Sequence, residues 1–384
     1  MTEPLPQKLH WLSACYFFFF AILGIMVPYL GVFFDHRGFD AQEIGLLLAI
    51  LMATRIIAPN IWAFVADKSG KRTELIQWGA GAAALSYLSF FYEGGLVYMA
   101  ASLAIYSFFW NAILAQLEVV TLETLSDKSY LYGRIRSWGS LGYIVLVIGA
   151  GYAITLYGPE VVPKIGLALF MGMFISSLLL PSDNNMRRSV ANNKKLNISR
   201  PMIWFLISAL FLQMSAGPFY GFFVLYLRDI GYSESIAGFY IALGVFAEIF
   251  MFAVTPRFLS KYGVKKLLIT SVGFTVIRWL LLGVAAEQPL LLALSQILHA
   301  FTFGLTHAAS IHFIHQQFDK HHRSQGQALY ASLSFGVGGA LGTWLCGIIW
   351  ADGSGAFDAW MFAAACATIS LAAVYLIREQ TIIQ

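Results

Sequence analysis

Two charged side chains, Glu118 and Arg136, lie eighteen residues apart on either side of a short polar loop. A long apolar run from about residue 96 leads into this stretch, and another leaves it toward residue 157. An ionised side chain within an apolar run costs roughly 2.5–3.5 kcal/mol to insert into a membrane, so it normally faces a partner or a water-filled cavity. Two antiparallel helices joined by the loop would bring both charges to a similar depth. The spacing predicts either an ion pair that joins the two helices or part of a binding site for a polar solute.

Four ionisable side chains form a second group in apolar surroundings: Glu248, Arg278, His299 and His307. Burial disfavours the charged form of a carboxylate, whereas a nearby arginine favours it, so such a carboxylate can change its proton affinity when its surroundings change. Histidine titrates near neutral pH and could relay the proton. We therefore expect these four residues to couple proton movement to the movement of a solute, with Glu248 as the proton carrier. The alternatives are a structural bridge between helices and histidines that bond to nearby backbone.

The charged residues that lie within long apolar runs are unequal in number. Arg55, Arg136 and Arg278 outnumber Glu118 and Glu248 by one. If both carboxylates are ionised, this excess suits an anionic solute.

The composition places the chain in a membrane. Of its 384 residues, 59% are hydrophobic and only 11% are charged, whereas a soluble domain carries about 25% charged residues. Apolar runs of about 20 residues, enough to span a bilayer as helices, recur along the whole chain, and they are continuous rather than alternating as in a barrel. We therefore predict an all-α integral membrane protein with twelve transmembrane helices, near residues 10–34, 43–66, 73–91, 96–121, 136–157, 162–181, 201–226, 235–254, 266–285, 289–315, 327–350 and 356–377.

The basic residues indicate an orientation. Nineteen of the 24 Lys and Arg fall in segments on one side of the predicted membrane, and three fall on the other side. Because basic residues are retained in the cytoplasm, we expect both termini to be cytoplasmic. The net charge of +4 then reflects topology and does not indicate nucleic-acid binding. Three cysteines, all within predicted spans, have neither disulfide nor metal-ligand spacing: Cys15, Cys346 and Cys366.

The sequence also divides into two related halves. The longest polar stretch, residues 182–200, has six predicted spans on each side. A shift of 193 residues places four glycines of the first half on glycines of the second: Gly38 on Gly231, Gly45 on Gly238, Gly70 on Gly263 and Gly133 on Gly326. The same shift places Arg55 on Glu248. We predict two pseudo-symmetric six-helix bundles, residues 1–181 and 201–384, joined by a cytoplasmic linker, 182–200.

The loop after the second predicted span reads ADKSGKR, residues 66–72. Between spans two and three of a twelve-helix chain, its Asp67, Gly70 and Arg72 resemble the loop signature of the major facilitator superfamily, although Ala63 stands where that signature has a glycine. The resemblance implies the major facilitator fold, and it implies that this loop acts as a latch in conformational switching. The alternative is an ordinary solvated basic loop.

A finer resemblance, to the lactose permease and phenylpropionate permease branch, covers essentially the whole chain. The segments that show this resemblance are YFFFFAILGIMVPYLGVFF in the first span, GRIRSWGSLGY after the Glu118 loop, and LHAFTFGLTHAASIHFI and GQALYASLSFGVGGALG near the end. The likeness implies that Glu118 and Arg136, with Asn111, bind a solute; Tyr143 could stack on its ring or pack against neighbours. The lactose permease has a carboxylate three residues after the histidine of span ten, whereas His299 is followed by Thr302.

Together these features predict a secondary transporter with no cofactor, metal or catalytic site. We expect proton-coupled uptake of a small organic solute, such as a phenylpropionate-like aromatic carboxylate, by a monomer that rocks between two open states in a bacterial-type inner membrane. The alternatives are a sugar or nucleoside proton symporter, a drug/proton antiporter, and a receptor or assembly factor without transport. The Gly-rich run GVGGALG lies within a predicted span and is more typical of close helix packing than of a nucleotide site.

Overall fold

A computed structural model of the chain describes residues 7–181, 198–319 and 322–377. The predicted linker therefore lies outside the described residues except for 198–200, as do the first six residues and residues 378–384.

The secondary structure of the described residues is helical. The helices, in chain order, are α1 (Gln7–His36), α2 (Ala41–Ser69), α3 (Arg72–Tyr87), α4 (Leu96–Leu125), α5 (Tyr132–Tyr157), α6 (Val161–Leu178), α7 (Arg200–Asp229), α8 (Glu234–Tyr262), α9 (Val264–Ala285), α10 (Pro289–Gln317), α11 (Arg323–Gly353) and α12 (Ala356–Tyr375). Short 3₁₀ turns occupy Leu88–Phe91 and Ser126–Leu131. Long apolar sequences form helices because a helix satisfies all its backbone hydrogen bonds within one segment, as a membrane requires.

Eleven helices of the described part are long and apolar enough to cross a membrane. The remaining one, α3, has 16 residues and is followed by the 3₁₀ turn Leu88–Phe91. This segment corresponds to the predicted third span, residues 73–91. The multi-pass, all-helical prediction is therefore confirmed, and the count of twelve spans stays a prediction.

Two helices contain a turn with π-helical bonding. In α10 it covers Ala300–Leu305, and in α11 it covers Ser332–Gly338. Such turns hold one extra residue within a helix, change the direction in which the following side chains point, and often occur at functional sites.

Turns at matching positions agree with the predicted 193-residue repeat. Gly70 precedes α3 with φ +71°, and Gly263 precedes α9 with φ +75°. The same holds for Gly38, with φ +82°, and Gly231, with φ +96°. Glycine adopts positive φ without the steric cost that a Cβ imposes, so these four positions repeat a local backbone requirement as well as a residue type.

The chain divides into two compact units. The first contains the described residues of Met1–Phe39, Ala53–Ala191 and Ser233–Gly238, and the second contains those of Asp40–Met52, Asn192–Tyr232 and Phe239–Gln384. The beginning of α2 thus belongs to unit 2, and the beginning of α8 belongs to unit 1. These two segments start 193 residues apart, which is the interval of the predicted repeat.

Close helix packing in each unit depends on a glycine. In unit 1, a Cβ on Gly142 of α5 would overlap the carbonyl oxygen of Phe17 on α1. In unit 2, a Cβ on Gly342 of α11 would overlap the carbonyl oxygen of Met214 on α7. Small residues of this kind let helix backbones approach closely, which supplies the van der Waals contact that stabilises helix pairs in membranes.

An ion pair outside the spans joins two loops of unit 1. The Nε of Arg37, just after α1, donates to Glu160, just before α6, over 2.5 Å, and its Nη2 donates to the other carboxylate oxygen over 2.8 Å. This bidentate hydrogen bond from Arg37 lowers the pKa of Glu160 below its ordinary value of 4.5, and the charges of His36 and Lys164 act in the same direction.

Candidate functional site

Unit 2 brings three of the predicted coupling residues together. Glu248 lies on α8, Arg278 on α9 and His299 on α10. The Nε2 of His299 lies 3.3 Å from a carboxylate oxygen of Glu248, and its Nδ1 lies 2.9 Å from Nη1 of Arg278. The imidazole ring therefore stands between the carboxylate and the guanidinium. The sequence analysis expected Glu248 and Arg278 to be neighbours, and the histidine separates them.

These contacts assign the protons of His299. Arginine has only donors, so Nη1 of Arg278 donates to Nδ1, which must then be the unprotonated nitrogen. The remaining hydrogen of a neutral imidazole lies on Nε2, where it donates to Glu248. The tautomer thus follows from the bonding of Arg278, and it directs an N–H at the carboxylate.

Arg278 is surrounded by neutral groups. Its side chain is buried, with 2% of the residue exposed. Nη1 also donates to Oγ1 of Thr302 over 3.0 Å, and Nη2 lies 3.4 Å from Oε1 of Gln296. The guanidinium carbon lies 4.3 Å from the ring centre of Phe219 and 4.7 Å from that of Trp279. Among the described residues, no carboxylate contacts the guanidinium.

A cavity of about 50 Å³ lies beside this network, within unit 2. Its wall contains Arg278 and His299, together with side chains from both π-helical turns, Thr302 and Phe303 of α10 and Ser334 of α11. Water needs roughly 10–15 Å³ of such space per molecule, so the cavity has room for only a few water-sized groups.

His307 lies in the same cavity wall but away from the carboxylate. The rings of His299 and Phe303 stack with centres 5.5 Å apart, and the rings of Phe303 and His307 stack with centres 5.9 Å apart. His307 is therefore joined to the predicted coupling group through an aromatic ring.

Unit 1 holds the predicted solute-binding residues. Glu118 of α4 is half-buried, interacts electrostatically with Arg136 of α5 and hydrogen bonds with Tyr132. Arg136 forms no contact ion pair with Glu118 within the described structure; its guanidinium carbon instead lies 3.9 Å from the ring centre of Phe20. Placement of the two charges near each other agrees with the sequence analysis, whereas a direct ion pair between them does not form.

Three further predicted residues lie in unit 1. Asn111 lies at the break in α4 between Trp110 and Ile113, and its Nδ2 donates to Oγ1 of Thr54 over 3.0 Å. Arg55 is half-buried on α2 and interacts electrostatically with Tyr106. Tyr143 is half-buried on α5, seven residues after Arg136.

The predicted latch residues form one local structure. Nη2 of Arg72 donates to Asp67 over 2.5 Å, and Nη1 donates to Oε1 of Gln116 on α4, also over 2.5 Å. Arg72 is only 8% exposed, and Gly70 makes the turn between the two charged residues with φ +71°. Arg72 thus ties the loop to α4, two residues before Glu118.

Sequence reasoning missed several neighbours of these charges: Tyr132, Gln116, Gln296, Phe219 and Trp279. Two of them had a signal, because Gln116 and Gln296 are uncharged polar residues within apolar runs and lie two and three residues before Glu118 and His299. The aromatic neighbours had none, because Phe and Trp are common throughout this chain.

Comparisons with known proteins agree with this architecture. The model of the family described as MFS_1 like family matches residues 9–362. A probable 3-phenylpropionic acid transporter of Escherichia coli (strain K12) is 24% identical over 355 residues, which cover 90% of this chain and 92% of that protein. A maltose permease of Geobacillus stearothermophilus is 22% identical over 345 residues, which cover 87% and 84% of the two chains.

A solved structure shares the fold. The crystal structure of the nucleoside transporter NupG has a TM-score of 0.86 at 18% sequence identity, and the match covers 98% of this chain and all of that one. Because the family model covers most of its length, the chain belongs to the MFS_1 like family of the major facilitator superfamily and is a membrane transporter rather than an enzyme.

Proposed function

We propose that this transporter takes up a small organic solute together with protons by alternating access, and that the solute is an aromatic carboxylate of the phenylpropionate type. The observation that carries the proposal is the position of His299 between Glu248, at 3.3 Å, and Arg278, at 2.9 Å. A carboxylate, an imidazole and a guanidinium joined in this way form one hydrogen-bond network. Gain or loss of one proton rearranges the hydrogen bonds of that network. A receptor or a scaffold does not require such a group.

In this proposal Glu248 carries the proton, and His299 relays it. Arg278 holds the imidazole in the form whose N–H points at Glu248, so a proton on the carboxylate, which removes its charge, would weaken that bond. A weaker bond loosens the hold of Glu248 on the ring, which lines the cavity together with His307. The latch Asp67, Gly70 and Arg72 would respond to solute binding in unit 1, because Arg72 is bonded to Gln116, two residues before Glu118.

The solute-binding residues in this proposal are Glu118, Arg136, Asn111, Tyr143 and Arg55. Both arginines are half-buried, so they are partly desolvated and can attract an anion. The resemblance to a probable 3-phenylpropionic acid transporter supports an aromatic acid as the solute.

A sugar or nucleoside is the second candidate. Glu118 hydrogen bonds with Tyr132 and lies near Arg136, and a carboxylate with a phenol and a guanidinium can bind several hydroxyl groups at once. The similarity to a maltose permease supports this alternative. A drug/proton antiporter would have the same fold, but proton flow would oppose solute flow.

The proposal places the protein in a bacterial-type inner membrane as a monomer with both termini in the cytoplasm. The excess of Lys and Arg in the predicted cytoplasmic segments supports this orientation.

Uptake by purified protein in liposomes tests the proposal. We expect an inside-alkaline pH gradient to drive accumulation of 3-phenylpropionate above the level in protein-free liposomes, which corrects for diffusion of the neutral acid. Maltose and uridine under the same gradient test the second candidate. Solute movement opposite to proton movement would identify an antiporter, and gradient-independent uptake of every solute would contradict proton coupling.

A further inference from the structure

The fully buried guanidinium of Arg278 lacks an anionic partner. The groups that it meets are an imidazole nitrogen, a hydroxyl and an amide oxygen, from His299, Thr302 and Gln296. Its Nε has no hydrogen-bond partner within the described part of the chain. Buried charges in proteins are normally paired with an opposite charge, because removal of an ion from water is unfavourable. An anion from outside the chain would therefore stabilise the buried cation of Arg278.

We infer that unit 2 contains a carboxylate-binding site in which Arg278 receives the anionic group of the solute and the half-buried aromatic side chains of the cavity hold its ring. This inference rests on the proposed transport of an aromatic acid. It gives Arg278 a role in binding as well as in proton coupling, and it adds a recognition site to the residues proposed in unit 1.

The size of the cavity limits which part of a solute can enter. Its 50 Å³ correspond to about four water-sized groups, which is close to the three heavy atoms of a carboxylate. A benzene ring does not fit in the same space. The ring must then lie outside this space.

The wall offers both polar and apolar groups. Its buried polar side chains include Arg278, Gln213, Thr302 and Ser310, and its buried apolar side chains include Phe205, Leu268 and Val272. Its half-buried side chains include the aromatic rings of Phe219, Phe303 and Phe335. A ligand with an anionic head and a flat apolar body can use both kinds of group, because a carboxylate accepts charge-assisted hydrogen bonds from arginine and aromatic rings pack favourably at centre distances of about 4.5–7 Å.

The site favours one negative charge over several. Among the described residues, Arg278 is the one arginine or lysine in the cavity wall, so a second anionic group would meet no fixed cation. A monocarboxylate is therefore the ligand class. A sugar could bind the hydroxyl and amide groups of the wall, but it would leave the guanidinium without a counter-charge.

Thr302 offers a direct test because its hydroxyl lies 3.0 Å from Nη1 of Arg278. Thr302→Asp places a carboxylate where we expect that of the solute, with little change in side-chain volume. Thr302→Asn adds the same shape without the charge. Binding of 3-phenylpropionate and of its neutral amide, 3-phenylpropanamide, is measured by calorimetry on the full-length purified proteins in the absence of a pH gradient.

We expect the wild-type protein to bind the carboxylate at least about tenfold more tightly than the amide, since a hydrogen bond to a charged group is worth roughly that factor or more. Thr302→Asp should remove this preference, whereas Thr302→Asn should keep most of it. A preference that survives in Thr302→Asp would overturn the inference and direct attention to the arginines of unit 1.

The affinities of the wild-type protein alone also test the inference. Equal affinity for 3-phenylpropionate and its amide, or binding of neither, would contradict a carboxylate site even if Thr302→Asp were not recovered folded. These results are separate from the transport test, because proton-driven uptake of a sugar or nucleoside would leave the protein a symporter and refute only the anion site.

Discussion

His299 and Glu248 are in contact, with Nε2 of the imidazole 3.3 Å from a carboxylate oxygen. The contact joins α10 to α8, and the opposite nitrogen of the ring is occupied by Arg278. A histidine held in this way presents one defined N–H to one carboxylate. Protonation of Glu248 therefore has a structural consequence, because a neutral carboxyl group accepts a weaker hydrogen bond from the ring than a carboxylate does.

Glu248→Gln should separate proton coupling from solute movement. The amide oxygen still accepts from His299, but glutamine cannot take up a proton. We expect accumulation driven by a pH gradient to fall roughly tenfold or more, the scale on which a positioned proton-transfer group acts, while solute exchange without a gradient continues. Liposome uptake and exchange measure the two activities, and Glu287→Gln, an exposed carboxylate, serves as control. Normal accumulation by Glu248→Gln would exclude it as the proton carrier.

Glu118→Gln and Arg136→Lys should each weaken solute binding in a folded protein. Loss of a hydrogen bond to a charged group is worth about 1.5–3 kcal/mol, and lysine cannot reproduce the flat contact of the guanidinium with Phe20. We expect the dissociation constant to rise roughly tenfold or more in calorimetry. The matched control is Glu123→Gln, an exposed carboxylate further along α4. Affinities within experimental error of wild type would remove unit 1 from the binding site.

Gly70→Ala and Gly263→Ala should destabilise the protein by similar amounts. Both glycines have positive φ, where a Cβ costs about 1–2 kcal/mol per residue. Thermal unfolding in detergent measures the effect. Gly149→Ala is the control, because no atom lies within 4 Å of the position of its Cβ and its φ is not positive. A mutant at Gly70 as stable as that at Gly149 would contradict the turn requirement.

The ion pair of Arg37 and Glu160 should stabilise unit 1 in a pH-dependent way. Arg37 lowers the folded-state pKa of Glu160, so the contribution is complete above the ordinary carboxyl value of 4.5 and is lost as pH falls through the lower folded value. Because Glu160 is partly exposed, its contribution should not exceed about 1 kcal/mol.

Thermal unfolding of wild type and Glu160→Gln at pH 7 and near pH 4 checks this prediction. Wild type should be the more stable protein at pH 7, and the difference should shrink in acid. A difference that stays constant or grows with falling pH would show that the ionisation of Glu160 is not its source.

The agreement between sequence and structure is greatest where a property is local. Continuous apolar runs become helices because each helix satisfies its own backbone. The positive φ at Gly70 and Gly263 follows from a tight turn whose backbone conformation glycine adopts without strain. The third predicted span, residues 73–91, contains the 16-residue helix α3 and a 3₁₀ turn, so its crossing of the membrane stays a prediction. The order of charges along the chain likewise placed Glu118 near Arg136, because a short loop constrains two helices, but it did not reveal that Arg136 contacts Phe20.

The sequence alone predicted the membrane class and the two-fold repeat of turns. It also identified the group of ionisable residues that must avoid lipid. Tertiary structure alone decided which of them meet. In a regular α-helix, residues four apart drift by about 40° around the axis, since each residue turns by about 100°. The π-helical turn at Ala300–Leu305 changes that drift between His299 and His307, whose rings both stack on Phe303. Helix rotation and packing, which depend on contacts between distant segments, thus placed His299 rather than Arg278 against Glu248.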